Sequence, residues 1–439
     1  MKSLSDIAAE TLALALKAGA DAASVTVVDS RSLDASLLDG KLDHIERSES
    51  LEVQLQSFAG QSQAMVSSGS TSTADLTELA TRALAMARLA PPDRFAGLAD
   101  KSAIATHFPD LELDDPTQIE ADPLMKLAGQ AEAAARAVAG VTKSAGAGAS
   151  TSRYRFVRAM SNGFHGEGAR TNFSFSVSVI AGEGDHMERD YDYSSAAWWS
   201  DLEAPGLIGT RAGERAVKRQ NPRKVKSQSV PVVYDPRVAS SLLSHLAGAV
   251  SGNAIARGSS FLKEALGSKI FADDITIIDD PLMKRAPGSR GFDSDGLAVS
   301  RMELIQNGTL TSWLLDLRSA RQLGLKSTGH GRGPNAGPSN LYLTAGTLTP
   351  RELIADIKEG LYVTELLGHG ANGVTGDYSR GAAGFWIENG QITYPVSEIT
   401  IAGNLRPMYQ SLTRANDLRF RGSINAPTCR LEGLTVAGA

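Results

Sequence analysis

Cysteine is almost missing from this 439-residue chain: Cys429 is the only one. No disulfide can form within the chain, and a reducing compartment is the expected setting. No run of 18 apolar residues occurs, so no transmembrane helix is expected. The opening stretch, "MKSLSDIAAETLALALKAGAD", carries Asp6 and Glu10 where a signal peptide needs an unbroken apolar segment. It reads as a helix, and the cytoplasm is the expected location. An excess of basic charge is also lacking. The formal net charge is −5, which argues against direct contact with nucleic acid.

Signatures of catalysis are equally scarce. There is no G-x-S-x-G, no Walker sequence and no H-E-x-x-H. "GHGANG" at 368–373 matches G-x-G-x-x-G in form, but more glycines follow it. A dinucleotide site needs a helix there, with its N-terminal amides facing the pyrophosphate. "SFLK" at 260–263 has S-x-x-K spacing without the companion elements of penicillin-recognising enzymes.

What is present reads as a globular chain: 42% hydrophobic and 21% charged residues. Its length exceeds one ordinary core, so two or three domains are expected, and the best boundary divides it in two. The fold class is α+β, a mixed α/β N-terminal domain over 1–222 and a mainly antiparallel β, sheet- or barrel-like C-terminal domain over 223–439. Ser3 and Asp6 open an amphipathic helix that Gly19 ends. "RSLDASLLDGKLDHIE" is two strands about an Asp-Gly turn, and "SLEVQLQSFAG" alternates cleanly. Thr73 is the expected cap of a helix over "TADLTELATRALAMARLA". "DPLMKLAGQAEAAARAVAG" is a third helix, and "RYRFVRAM" and "TNFSFSVSVIAG" are strands. The charged run "AVKRQNPRKVKSQSV" reads as a solvated linker near residue 222. Beyond it comes a helix over 237–251, then short strands with Asn-Gly hairpin signals at "IQNGTL" and "IENGQI", and a further helix over "TPRELIADIKEG".

His245 stands on the helix over 237–251, followed by Leu246, Ala247, Gly248, Ala249 and Val250. A zinc hydrolase helix needs a second imidazole and a carboxylate on the same face. Apolar residues occupy those slots, so His245 reads as a packed histidine. His330 and His369 lie in Gly-rich loops, with Asp377, Ser379 and Arg380 near the second. They supply the residue types of a hydroxyl–imidazole–carboxylate arrangement, with no spacing that demands one. Cys429 reads as a small apolar filler.

Several segments carry a resemblance. "ELLGHGANGVTGDYSRGAAGFWIENGQITYPVSEITIAGNL", "LLSHLAGAVSGNAIARGSSFL", "GFDSDGLAV" and "SARQLGLKSTGHG" closely resemble the TldD/PmbA family, and within it the PmbA (TldE) branch. The resemblance is strong over about 230–410 and weaker but continuous in the first half. It implies a cytoplasmic, two-domain, dimeric protein of a family first named for modulating DNA gyrase. The TldD branch carries H-E-x-x-x-H and a later cysteine, which hold a metal in a metallopeptidase. Carried onto this chain, those positions fall on His245, Leu246 and Val250, and the cysteine falls near Ala426, with Cys429 displaced from it. The resemblance therefore implies a chain with no cofactor or metal of its own and no catalytic residue. It implies pairing with a zinc-bearing TldD-type subunit that cleaves peptides and unfolded proteins, and a homodimer in isolation. Two alternatives stand beside it. One is a stand-alone peptidase built on His330, His369 and Asp377. The other is a regulatory binding protein acting on DNA gyrase.

Overall fold

The computed structural model describes residues 2–438. The N-terminal half begins with helix α1 (Leu4–Lys17), whose Ser3 cap and Asp6 form a reciprocal capping box. Strands β1 (Ala22–Leu38) and β2 (Lys41–Ala59) follow, turning on Asp39 and Gly40, both with positive φ. Next come β3 (Ser62–Ser68), α2 (Thr73–Leu89) and α3 (Ala121–Arg136). Then come β4 (Val141–Met160), β5 (His165–Ala181), β6 (Glu188–Ala196) and α4 (Pro205–Lys218). The six strands form one antiparallel sheet in the order β3-β2-β1-β4-β5-β6.

Alternation gives this sheet two unlike faces. Val25, Val27, Leu33, Ala35 and Leu37 of β1 point to one side and are buried under helices. Helices α1 and α2 cover one end of that side, and α3 and α4 cover the other. The opposite face carries Tyr154, Phe156 and Arg158 of β4. Phe156 there meets Phe292 from the second half.

The second half opens with β7 (Gln228–Tyr234), α5 (Pro236–Ala249) and α6 (Gly252–Ala256). Short strands β8 (Ile277–Asp279), β9 (Met302–Gln306) and β10 (Thr309–Leu310) lead to α7 (Leu317–Leu323). A small hairpin, β11 (Gly331–Arg332) and β12 (Asn335–Ala336), precedes β13 (Leu341–Leu343) and α8 (Pro350–Ile354). The long strands β14 (Glu359–Leu367), β15 (Asp377–Glu388) and β16 (Gln391–Asn404) follow. Helix α9 (Leu405–Gln410) and strands β17 (Thr413–Arg414), β18 (Ile424–Asn425) and β19 (Cys429–Ala437) complete the described chain.

Strands β16-β15-β14-β7-β19 pair in order, and β19 pairs back to β16, so the five close into a barrel. Only the β14–β7 contact in that ring is parallel. A second sheet runs β10-β9-β8-β13-β18. Helix α5 contacts β7 and β14 of the barrel and β13 and β18 of the second sheet. One large apolar core joins all three. No helix among the described residues is long and apolar enough to cross a membrane.

Several expectations change. The cap of α2 is Ser72, which accepts from the Asp75 amide; Thr73 is already helical. The helix expected over 237–251 ends at Ala249, with Val250 as its cap. The helix expected over "TPRELIADIKEG" is one short turn. The charged run is solvated only in part: Arg223, Lys224 and Lys226 are exposed, but Arg219 is not. Arg219 has a side chain only 14% exposed and pairs with Glu188, Asp190 and Glu365, while Arg223 lies over the Tyr394 ring. Opposite charges on β6 and β14 draw Arg219 in.

Candidate functional site

Asp235 caps α5 by accepting from the Arg237 amide, and Pro236 starts the helix without needing a donor. Leu242, Leu243 and Leu246 form its core stripe. His245 points off that stripe, edge-on to Tyr378 of β15 with ring centroids 5.8 Å apart. Tyr378 in turn meets the Tyr234 hydroxyl at 3.3 Å. The Arg380 guanidinium lies close to both His245 and Tyr378. Burial, then the Arg380 charge, hold the His245 pKa below its ordinary value. The Nε2 of His245 and the Nε of Arg380 are buried without a hydrogen-bond partner.

Leu246 and Val250 are fully buried in the hydrocarbon core. Ala426 is buried as well, and the Cys429 Sγ donates to the Pro427 carbonyl at 3.2 Å. Burial pushes the Cys429 thiol far above its usual range, so it stays protonated and is a poor ligand. Zinc needs about four N, S or O donors drawn from imidazole, thiolate and carboxylate. Among the described residues no three His, Cys, Asp or Glu side chains gather into such a set. A guanidinium beside the imidazole would also repel a divalent ion. The residues around His245 do not fit a zinc centre.

The loop residues are placed apart. His330 is 2% exposed: its Nδ1 lies 2.8 Å from Thr328 Oγ1, and its Nε2 lies 3.1 Å from Asp279 Oδ2. The order hydroxyl–imidazole–carboxylate is that of an activated nucleophile. However, Thr328 Oγ1 accepts from the Leu315 amide and lies between the Trp313 and Leu315 carbonyls. Asp279 is fully buried and accepts from the Ser339 amide. The trio fastens a loop to β8. His369 is exposed in the loop before β15. Asp377 accepts from Thr375 and Asn404, which hold its carboxyl below the usual range. His330 therefore takes its carboxylate from Asp279, and no hydrogen bond joins it to His369 or Asp377.

The sequence reading missed an aspartate pair. In "GFDSDGLAV", Asp293 accepts from the backbone amides of Asp295, Leu297 and Gly331. Asp295 accepts from the Leu317 amide, and burial together with the Asp293 charge pushes its carboxyl up to about 7. The signal was two carboxylates, two residues apart, before a glycine.

Comparison with known proteins agrees with this architecture. Residues 227–438 match the PmbA/TldA metallopeptidase C-terminal domain, 114–220 the central domain, and 23–87 domain 1 of the same family. Metalloprotease PmbA of Escherichia coli O157:H7 is 38% identical over 434 residues, covering 98% of this chain and 95% of that protein. The Haemophilus influenzae PmbA homologue is 37% identical, covering 97% and 94%. A crystal structure from Bacteroides thetaiotaomicron, of a protein named for modulation of DNA gyrase, superposes with a TM-score of 0.93 at 30% identity over 99% of both chains. TldE from Thermococcus kodakarensis shares the fold with a TM-score of 0.86 at 21% identity, over 98% of this chain and 100% of that one. With all three family domains matched along its length, this chain belongs to the PmbA/TldD metallopeptidase family.

Proposed function

We propose that this chain is the PmbA/TldE-type subunit of a cytoplasmic TldD/TldE peptidase complex. It has no metal centre of its own, and it serves a zinc-bearing TldD-type subunit in handling peptides and unfolded proteins. The observation that carries the reading is the setting of His245. The two neighbouring ligand positions, Leu246 and Val250, are core hydrocarbon, and the positive charge of Arg380 acts on the imidazole that would have to bind a cation. The kinship with metalloprotease PmbA and the fold shared with TldE support it. In this reading the chain contributes a wall that holds substrate backbone, while the bond-breaking groups come from the partner. In isolation it pairs with itself.

The test compares the purified chain alone with the chain mixed with a TldD-type subunit. Bound zinc and chelator-sensitive cleavage of unfolded casein are measured in each. Zinc and cleavage are expected only when the TldD-type subunit is present. Stoichiometric zinc and cleavage in the chain alone, both abolished by His245→Ala, would overturn the reading.

A further inference from the structure

A cavity of about 910 Å³ lies between the helix-free face of the N-terminal sheet and segments 287–294 and 331–333 of the second half. Arg158, Arg170, Arg290 and Arg332 line it. None of the four makes an ion pair among the described residues. Their acceptors are neutral: Thr26 and the Ser294 carbonyl for Arg158, and the Pro287 and Ser289 carbonyls for Arg170. Arg332 donates to the Pro338 carbonyl. Arg290 makes only long bonds, 3.3 and 3.4 Å, to the Gly331 and Gly337 carbonyls, and its Nε is buried without a partner.

The acids of the lining are mostly committed elsewhere. Glu112 pairs with Lys284 and Arg285, Asp114 with Arg153, and Asp293 is bound by three backbone amides. Asp110 accepts from the Glu112 amide, and Glu167 is exposed. Asp279 and Asp293 act on Arg290, and Asp293 and Asp295 on Arg158, but none closes an ion pair with them, and four clustered guanidiniums held this way are costly unless a further anion joins them. Burial, then the Arg332 charge, hold Arg290 down to about 10, as that cost requires.

Two more features narrow the anion. Phe108, Phe156 and Phe292 interlock along one wall, with centroids 5.2 and 5.9 Å apart, and suit an apolar side chain. The edge of β5 over 167–170 also borders the cavity. Strand β6 pairs only with 173–181 of β5, and the Thr171 amide turns outward to the Leu113 carbonyl. By the period of two, the amides and carbonyls of Glu167 and Ala169 also point outward, where no strand meets them.

We infer that this cavity binds the C-terminal end of an extended peptide. Its backbone pairs with the 167–169 edge of β5, its last side chain lies on the Phe wall, and its free carboxylate lies among the four arginines. An edge strand gives affinity without sequence preference, and guanidinium forks fit a carboxylate in bidentate fashion. The inference rests on the reading that this chain handles peptides, and it extends that reading to a site within this chain.

The test uses the full chain alone, so the state of any complex does not enter. Fluorescence anisotropy follows an N-terminally fluorescein-labelled tetrapeptide, Ala-Ser-Ala-Phe, as free acid and as C-terminal amide. The acid is expected to bind about tenfold or more tightly than the amide. Arg332→Gln, on an exposed side chain, is expected to reduce that preference to about twofold, and Arg290→Gln to do the same if it folds. Equal binding of acid and amide, no binding of either, or a preference unchanged in Arg332→Gln overturns the inference. So does tighter binding of inorganic phosphate than of the acid peptide. Each of those results leaves the zinc and cleavage test of the subunit reading untouched.

Discussion

Asp295 is a carboxyl kept protonated by its surroundings, and its removal gives a sharp pH signature. Its carboxyl titrates at about 7 in the folded chain against an ordinary 3.8, because burial and the Asp293 charge both oppose ionisation. In the unfolded chain the proton leaves near 3.9. Between these two values the folded state holds the extra proton, so this group's contribution to stability is fully present below the lower one and is lost as pH rises through about 7. The displacement corresponds to at most about 4 kcal/mol. Asp295→Asn keeps an acceptor for the Leu317 amide and cannot ionise. It is therefore expected to match the wild type near pH 4 and to exceed it at pH 8. Removing the neighbouring charge also lets Asp293 ionise more easily, which acts in the same direction. The assay is the urea unfolding midpoint at steps from pH 4 to 9. With a slope of ~3 kcal/mol/M, a gap of about 1 M should open between the two curves by pH 8. A variant curve that runs parallel to the wild type throughout would refute the reasoning.

Two further substitutions probe the packing. Asp190→Ala strips the buried counter-charge from Arg219 and Arg237, which bind it at 3.5 and 2.9 Å, and should cost about 3 kcal/mol in urea unfolding. Gly209→Ala should destabilise by about 1–3 kcal/mol by the same assay, since a Cβ there would stand 2.2 Å from the Ala131 carbonyl oxygen of α3. Helix propensity alone predicts a gain of about 1 kcal/mol, so the sign of the change separates packing from propensity.

That close helix pair also shows what the sequence hides. Helix α4 escaped the reading because its buried face is Ile208, Gly209, Ala212, Gly213 and Ala216, too small to register as an apolar stripe. The first half of β4, "VTKSAGAGASTS", escaped for the same reason: Ala147 and Ala149 are its core residues. Where side chains were large and regularly spaced, as in β2, β5 and α5, the elements were legible. The apolar flank of His245 was legible too, because Leu246 and Val250 follow it directly in sequence. The partners that define the sites were not. Arg380 reaches His245 from β15, Asp279 reaches His330 from β8, and the four arginines converge from β4, β5, β11 and one loop. Such meetings depend on three-dimensional register, which no local period encodes.

The ring closure described for the second half also bears on how the chain is made. Strand β7 has two ladder neighbours, β14 and β19, and the second lies about 200 residues downstream. At ~5–20 residues per second, β7 waits about 10–40 s on the ribosome before its last hydrogen-bonding edge can be satisfied. During that interval the edge of an apolar strand, Val230, Val232, Val233 and Tyr234, lacks its β19 neighbour. The nascent second half thus carries an open strand edge, able to pair wrongly, until its last strand has been made.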